Sequence, residues 1–158
     1  MTEHRPIVMA VDDDEDDILL LQDALAQHYS STRLLTAQGV DAFLQQLFGQ
    51  VESLEQLVNA VPAITPELIL LDVNMPKING LQLLQFIRKH TLLRLCKVVM
   101  LTTSVNPNEQ QRCIAAGADM YLVKPCAFDE LEMLCALLIE QVLPAPRSAV
   151  KEVFNAAE

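Results

Sequence analysis

Two short apolar runs, Ile7 to Val11 and Leu68 to Leu71, each lead straight into aspartate. The first opens onto Asp12-Asp13-Asp14-Glu15-Asp16-Asp17, six consecutive carboxylates, and the second ends in Asp72 followed by Val73-Asn74-Met75-Pro76. Strands that are apolar on both faces lie in the interior of a parallel sheet covered by helices. Two such strands carry Asp12, Asp13 and Asp72 to one sheet edge, where three convergent carboxylates form a ligand set for a hard cation of the magnesium type. The crowded acids have a second outlet. Asp13 or Asp14 can cap a helix, with Glu15, Asp16 and Asp17 in its first turn, where the helix dipole favours negative charge.

Beyond the acidic run, Ile18, Leu19, Leu21 and Leu25 follow helical spacing. Thr32 to Ala37 reads as a second strand, Gly39 to Phe48 as a helix, and Glu67 to Leu71 as a third strand. Asn79 to His90 is a helix, Val98 to Leu101 a fourth strand, and Asn108 to Ala116 a helix stopped by Gly117. Met120 to Val123 is a fifth strand, and Phe128 to Val142 a last helix ended by Pro144. This alternation predicts a doubly wound α/β domain over residues 5–143, a five-stranded parallel sheet flanked by five helices. The functional crevice of such a sheet lies beyond the carboxyl ends of its strands, where Asp12, Asp13, Asp72, Thr102 and Lys124 all fall. Between Leu44 and Pro66 the chain exceeds one helix and a turn. Val51, Leu54, Leu57, Val58 and Val61 there predict an extended second helix or an extra short one before Pro62. Residues 144–158 form a tail, either frayed or a short helix packing through Val150, Val153 and Phe154, with too few residues for an effector domain.

Composition narrows the function classes. The 158 residues suit one domain, and a hydrophobic content of 51% is ample for a core. The 11 basic and 21 acidic residues sum to −10, which denies the chain the basic footprint a nucleic-acid backbone requires. The apolar runs fall short of the roughly 18 residues of a membrane span, and the N-terminus lacks a signal-peptide core. Cys96, Cys113, Cys126 and Cys135 are irregularly spaced, as expected of free thiols in a reducing cytoplasm. His4, His28 and His90 are isolated and receive no chemical role.

Four segments taken in order resemble the signature of the receiver domain of two-component response regulators. They are Asp12-Asp13; Leu71 to Pro76 with Gly80; Met100-Leu101-Thr102-Thr103-Ser104; and Tyr121-Leu122-Val123-Lys124-Pro125. The resemblance covers about residues 5 to 142 and implies the flavodoxin-like fold of CheY-like proteins. It implies that Asp72 is the phosphoacceptor and that Mg2+ is held by Asp13, Asp72 and the Asn74 backbone carbonyl, with Asp12 acting directly or through water. Lys124 and the Thr102 hydroxyl would contact phosphoryl oxygens, backbone N–H groups after Asp72 and Thr102 would complete the cradle, and Thr102 with Tyr121 would form a switch. Asn74 and Ser104 would steer the water that hydrolyses the aspartyl phosphate. These residue types suit the chemistry, because an anionic nucleophile meeting an anionic donor needs its charge neutralised and its geometry held. Ile78 and Asn79 depart from the Met-Asp more usual before the glycine, and Thr103 stands where a smaller residue is common.

The resemblance implies a cytoplasmic signalling protein rather than an enzyme. Its partner would be a sensor histidine kinase, with the phytochrome type suggested by the segment from Leu44 to Pro66, or a phosphotransfer protein. Output would pass through contacts with a downstream protein, and a homodimer is expected through the face from Asn108 to Val142, with the tail packing across or beside it. Two rivals carry less. A haloacid-dehalogenase-like phosphohydrolase also ends a strand in its nucleophilic Asp, but it needs a second Asp where Asn74 stands, and a cap domain. A phosphorylation-independent interaction module has no use for Asp13, Asp72 and Lys124 together.

Overall fold

The computed structural model describes residues 4–50 and 53–152. Val51, Val153 and Phe154, expected in apolar stripes, lie outside the described residues. Strand β1 (Ile7–Asp12) leads into helix α1 (Glu15–Leu25), and β2 (Arg33–Gln38) into α2 (Val40–Phe48). Then follow β3 (Leu68–Leu71), α3 (Gly80–Lys89), β4 (Lys97–Thr102), α4 (Pro107–Ala115), β5 (Met120–Val123) and α5 (Phe128–Leu137). Every pairing is parallel, and the strand order is β2-β1-β3-β4-β5. The order turns back between β1 and β3, which opens the crevice at their carboxyl ends.

The period of two along each strand divides the core between the two faces. Met9, Val11, Ile69, Leu71, Val98 and Met100 join the cluster that holds Phe43, Leu47, Leu83 and Ile87 of α2 and α3. Val8, Ala10, Leu68, Leu70, Val99 and Leu101 face Leu21 and Leu25 of α1 and Leu131 and Cys135 of α5. Helix ends follow side-chain chemistry. Asp14 is the cap of α1 and accepts from the N–H groups of Asp16 and Asp17, while Asn79 and Gln82 form a reciprocal capping box on α3. Gly117, at φ 106°, takes the left-handed turn that ends α4.

Several details differ from the sequence reading. Leu19 is 50% exposed, because the face of α1 turned to the sheet is made by Ile18, Leu21, Ala24 and Leu25. An extended second helix does not form, since Gly49 at φ 75° turns the chain away. The extra short helix expected before Pro62 is a 310 turn at Glu55–Leu57, with Leu54, Leu57 and Val58 half-buried on the core and Val61 left 80% exposed. His90 anchors that segment. It is fully buried beside Phe48 and Phe86, its Nε2 bonds the Ala60 carbonyl at 2.8 Å, and its Nδ1 accepts from the N–H groups of Leu92 and Leu93. The last helix is regular only to Leu137 and widens into a π-helical turn, Leu138–Val142, which keeps Leu138, Ile139 and Val142 in the core. Cys96, Cys113 and Cys135 are buried, and burial pushes their thiols up to about 12, 11 and 12; Cys126 alone is exposed.

The segment after Pro144 is folded back onto its own chain through Glu152. Val150 is fully buried in the α1/α5-side core. Arg147 donates through Nε to Oδ1 of Asp119 at 2.8 Å, and Arg88 donates to Oδ2 at 2.9 Å. The buried Asp119 carboxylate also accepts from the Val98 N–H and so ties the tail to the amino ends of β4 and β5. The Lys97 ammonium adds a bond to the Leu143 carbonyl.

Candidate functional site

Asp12 closes β1, and Asp72 follows β3 by one residue, still in register through its N–H bond to the Val11 carbonyl at 3.0 Å. Gly80 sets how close α3 comes to this point. A Cβ at Gly80 would lie 2.1 Å from the Asp72 carbonyl oxygen, so only glycine lets the helix start against the backbone of Asp72. Thr102 ends β4 and is fully buried, and the Lys124 N–H donates to its carbonyl at 2.7 Å. Four strand ends therefore deliver their residues to one crevice, as the element order predicts.

Carboxylate oxygens of Asp12, Asp13 and Asp72 all lie within 4.8 Å of one another. Asp12 and Asp72 are buried and Asp13 is exposed, so the cluster opens to solvent on one side. Beside Asp13, a cavity of about 300 Å3 is lined by Gln38, Gly39, Asp41, Pro76 and Lys77. A larger cleft of about 750 Å3, between α2 and Leu54 and Leu57, shares Asp41 and Ile78 with that cavity but is not lined by Asp12, Asp13 or Asp72.

Charge in the cluster is poorly balanced. Burial pushes Asp72 up to about 6, and the Asp12 charge adds to the rise, against the lowering effects of the Lys124 charge, the Thr102 hydroxyl and the Val73 N–H. Asp12 is also raised by burial, although Lys124 and the Asp14 N–H hydrogen-bond to it. For Lys124 burial alone lowers the value, but hydrogen bonds to Asp12 and Asp17 outweigh it and hold the ammonium above its ordinary range. One ammonium thus serves several acids, and the all-oxygen donor set fits a hard divalent cation that would offset the remainder.

The Lys124 Nζ donates to Oδ2 of Asp12 and to Oδ2 of Asp17, the latter at 3.0 Å. The Asp17 contact was not legible in the sequence, where the residue reads as one more acid in a helical turn. Asn74 is exposed in the loop after β3. The Ser104 N–H donates to the Thr102 hydroxyl at 3.3 Å, and its carbonyl accepts from the Tyr121 hydroxyl at 3.2 Å. The single Tyr121 hydroxyl proton is shared with Oε1 of Glu109, at 2.8 Å the nearer acceptor and a partner the sequence does not reveal.

Residues 8–136 match the response regulator receiver domain. The chain belongs to this family. The receiver is 32% identical over 133 residues to a two-component response regulator of Arabidopsis thaliana, ARR17, covering 83% of this chain and 84% of that protein. Its fold is similar to that of RcpA, a phosphorylated cyanobacterial phytochrome response regulator, with a TM-score of 0.73 at 25% identity, covering 88% of this chain and 96% of that one. The Mn(2+)-bound form of response regulator Rcp1 is similar at a TM-score of 0.72 and 26% identity, covering 89% and 96% of the two chains. Other relatives are longer. The receiver spans 12% of protein RcaC of Microchaete diplosiphon and 43% of a probable methanogenesis regulatory protein, FilR2, of Methanothrix harundinacea. The family is a phosphoacceptor signalling domain of two-component systems rather than a classical enzyme, with a divalent-metal site at its acidic pocket. Among the described residues no helix is long and apolar enough to cross a membrane.

Proposed function

We propose that Asp72 is the phosphoacceptor of this receiver and takes its phosphoryl group from a phosphohistidine of a sensor histidine kinase or phosphotransfer protein. The observation that carries this reading is the meeting of Asp72 with Asp12, Asp13, Thr102 and Lys124 at the point where the strand order reverses. A carboxylate oxygen of Asp72 attacks phosphorus, the O–P bond forms, and the N–P bond to the donor imidazole breaks. The imidazole nitrogen keeps the electron pair and takes a proton from solvent. Gly80 and the strand backbone hold Asp72 in place for an in-line approach. Lys124 supplies a compact positive charge to one phosphoryl oxygen, and the Thr102 hydroxyl donates to another.

We assign Mg2+ as the cation, with Asp13 and Asp72 as direct ligands and the Asn74 carbonyl as a third. Asp12 would act through water, since one of its oxygens accepts from the Asp14 N–H and the other from Lys124. When bound, the cation offsets the charge that the carboxylates share with the incoming phosphoryl group. Asn74 and Ser104 flank the approach of the hydrolytic water. Thr102, Ser104 and Tyr121 form one hydrogen-bonded chain, so movement of Thr102 toward a phosphoryl group is read at β5 and α4. The likeness to RcpA favours a phytochrome-type kinase as the cognate donor. The exposed apolar residues Val123, Phe128 and Met133 favour output through protein contacts, a homodimer among them, and we propose the cytoplasm as the place where this signalling runs. Incubation with acetyl phosphate and magnesium tests the reading by mass spectrometry. One phosphoryl group is expected on the wild type and none on Asp72→Asn, and modification of the variant would overturn the assignment.

A further inference from the structure

We propose that Asp17 is a positioning residue that latches Lys124 away from Asp72 until a phosphoryl group draws the ammonium across. This rests on the reading of Asp72 as phosphoacceptor. Lys124 donates to Asp12 and to Asp17, and among the described residues it makes no hydrogen bond to Asp72. An ammonium has three donors, so two are committed before any phosphoryl group arrives. The two holds are unequal. The Asp12 side chain is 2% exposed, so breaking its bond would strand a buried charge, whereas Asp17 is 30% exposed and regains water on release. The exchange that delivers Lys124 is therefore a swap of Asp17 for a phosphoryl oxygen. Asp17 is held ready for it, because its N–H and that of Asp16 bond the Asp14 cap while Ile18 and Leu21 pin α1 to the sheet. Asp17 stands outside the Asp12, Asp13 and Asp72 cluster, so its effect runs through Lys124.

Beryllofluoride with magnesium serves as the phosphoryl mimic. Asp17→Asn should tighten its binding about three- to tenfold, the scale of one partly exposed charge-assisted hydrogen bond. Asp17→Glu, which keeps a carboxylate within reach, should stay close to wild type. Asp16 is equally acidic but exposed and without a Lys124 contact, so Asp16→Asn should change the affinity by less than about twofold. In a Lys124→Met background the effect of Asp17→Asn should vanish. Urea unfolding in EDTA supplies a second readout that needs no metal, and the Asp17 and Lys124 changes should be non-additive there. Equal effects of Asp16→Asn and Asp17→Asn would reduce the effect to net charge and overturn the latch, as would additive unfolding or an unchanged affinity. A wild-type protein that binds no beryllofluoride would instead overturn the Asp72 reading beneath it.

Discussion

Replacing the central carboxylate should make the metal-free protein more stable. Asp72 is 8% exposed, and burial holds it at about 6 against an ordinary 3.8. Between these values the folded chain keeps a proton that the unfolded chain has lost, so stability falls as pH rises through the window from about 4 to 6. Above it the wild type carries the full penalty, which this difference puts at up to ~3 kcal/mol. Asp72→Asn removes the charge and keeps the shape. In EDTA at pH 7.5 the variant should gain roughly 2–3 kcal/mol in urea unfolding, and roughly 4–12 °C in Tm for a chain of this size. The gain should shrink toward zero below about pH 4, where the wild-type carboxyl is protonated in both states. Saturating magnesium should narrow the gap at pH 7.5, because the cation stabilises only the chain that binds it well. A variant no more stable than wild type in EDTA, or a gap that does not depend on pH, would refute the reasoning.

Three further outcomes follow from the geometry. Gly80→Ala places a Cβ 2.1 Å from the Asp72 carbonyl oxygen, so it should cost roughly 2–4 kcal/mol and slow acetyl phosphate labelling by about tenfold or more; wild-type labelling would show that the helix start does not position Asp72. Asp13 is exposed, so Asp13→Asn should leave urea stability nearly unchanged while weakening magnesium binding by on the order of tenfold in calorimetry. Unchanged affinity would leave Asp13 with no ligand role. Arg147→Ala leaves Asp119 with the Arg88 guanidinium and the Val98 N–H and should loosen the tail, seen as faster amide exchange at Val150 and a loss of about 1 kcal/mol; undiminished protection at Val150 would place the anchor elsewhere.

Strand ends and helix periods are one-dimensional signals, and the sequence carries them well. Leu68 to Leu71 is apolar throughout because both faces of β3 are covered, and Asp72 follows it because a charge belongs at the edge. The π-helical turn at Leu138–Val142 was less accessible, since Leu138, Ile139 and Val142 also fit an ordinary helical stripe and only the packing against the sheet separates the two. The tail was harder still. Val150 reads as an exposed apolar residue in want of a partner until Asp119, thirty-one residues earlier, supplies the ion pair that brings Arg147 and its neighbours home. The same limit hid Asp17 and Glu109. Each lies in the first turn of a helix, where an acid needs no other explanation, and its partner, Lys124 just after β5 or Tyr121 within it, stands at a distance that depends on how the helix sits on the sheet.

The stability penalty at Asp72 and the latch on Lys124 serve one end. A carboxylate at about 6 is a more basic, stronger nucleophile than an ordinary one at 3.8, yet it is still mostly ionised at neutral pH. Were Lys124 hydrogen-bonded to Asp72 in the resting state, that bond would lower the carboxylate's basicity and leave a weaker nucleophile. Engaging the ammonium on Asp12 and Asp17 leaves Asp72 with only its longer-range pull, while keeping the charge within reach of an incoming phosphoryl group. The arrangement stores part of the folding free energy as reactivity. Combining Asp17→Asn with an intact Asp72 should therefore strengthen binding of a phosphoryl mimic and at the same time free Lys124 to turn onto Asp72, lowering its value. Titration of the metal-free Asp72 carboxyl by NMR reads the second effect directly. A value unchanged from wild type in that variant would mean that release from Asp17 does not bring the ammonium onto Asp72, and that the basicity of the nucleophile does not depend on the latch.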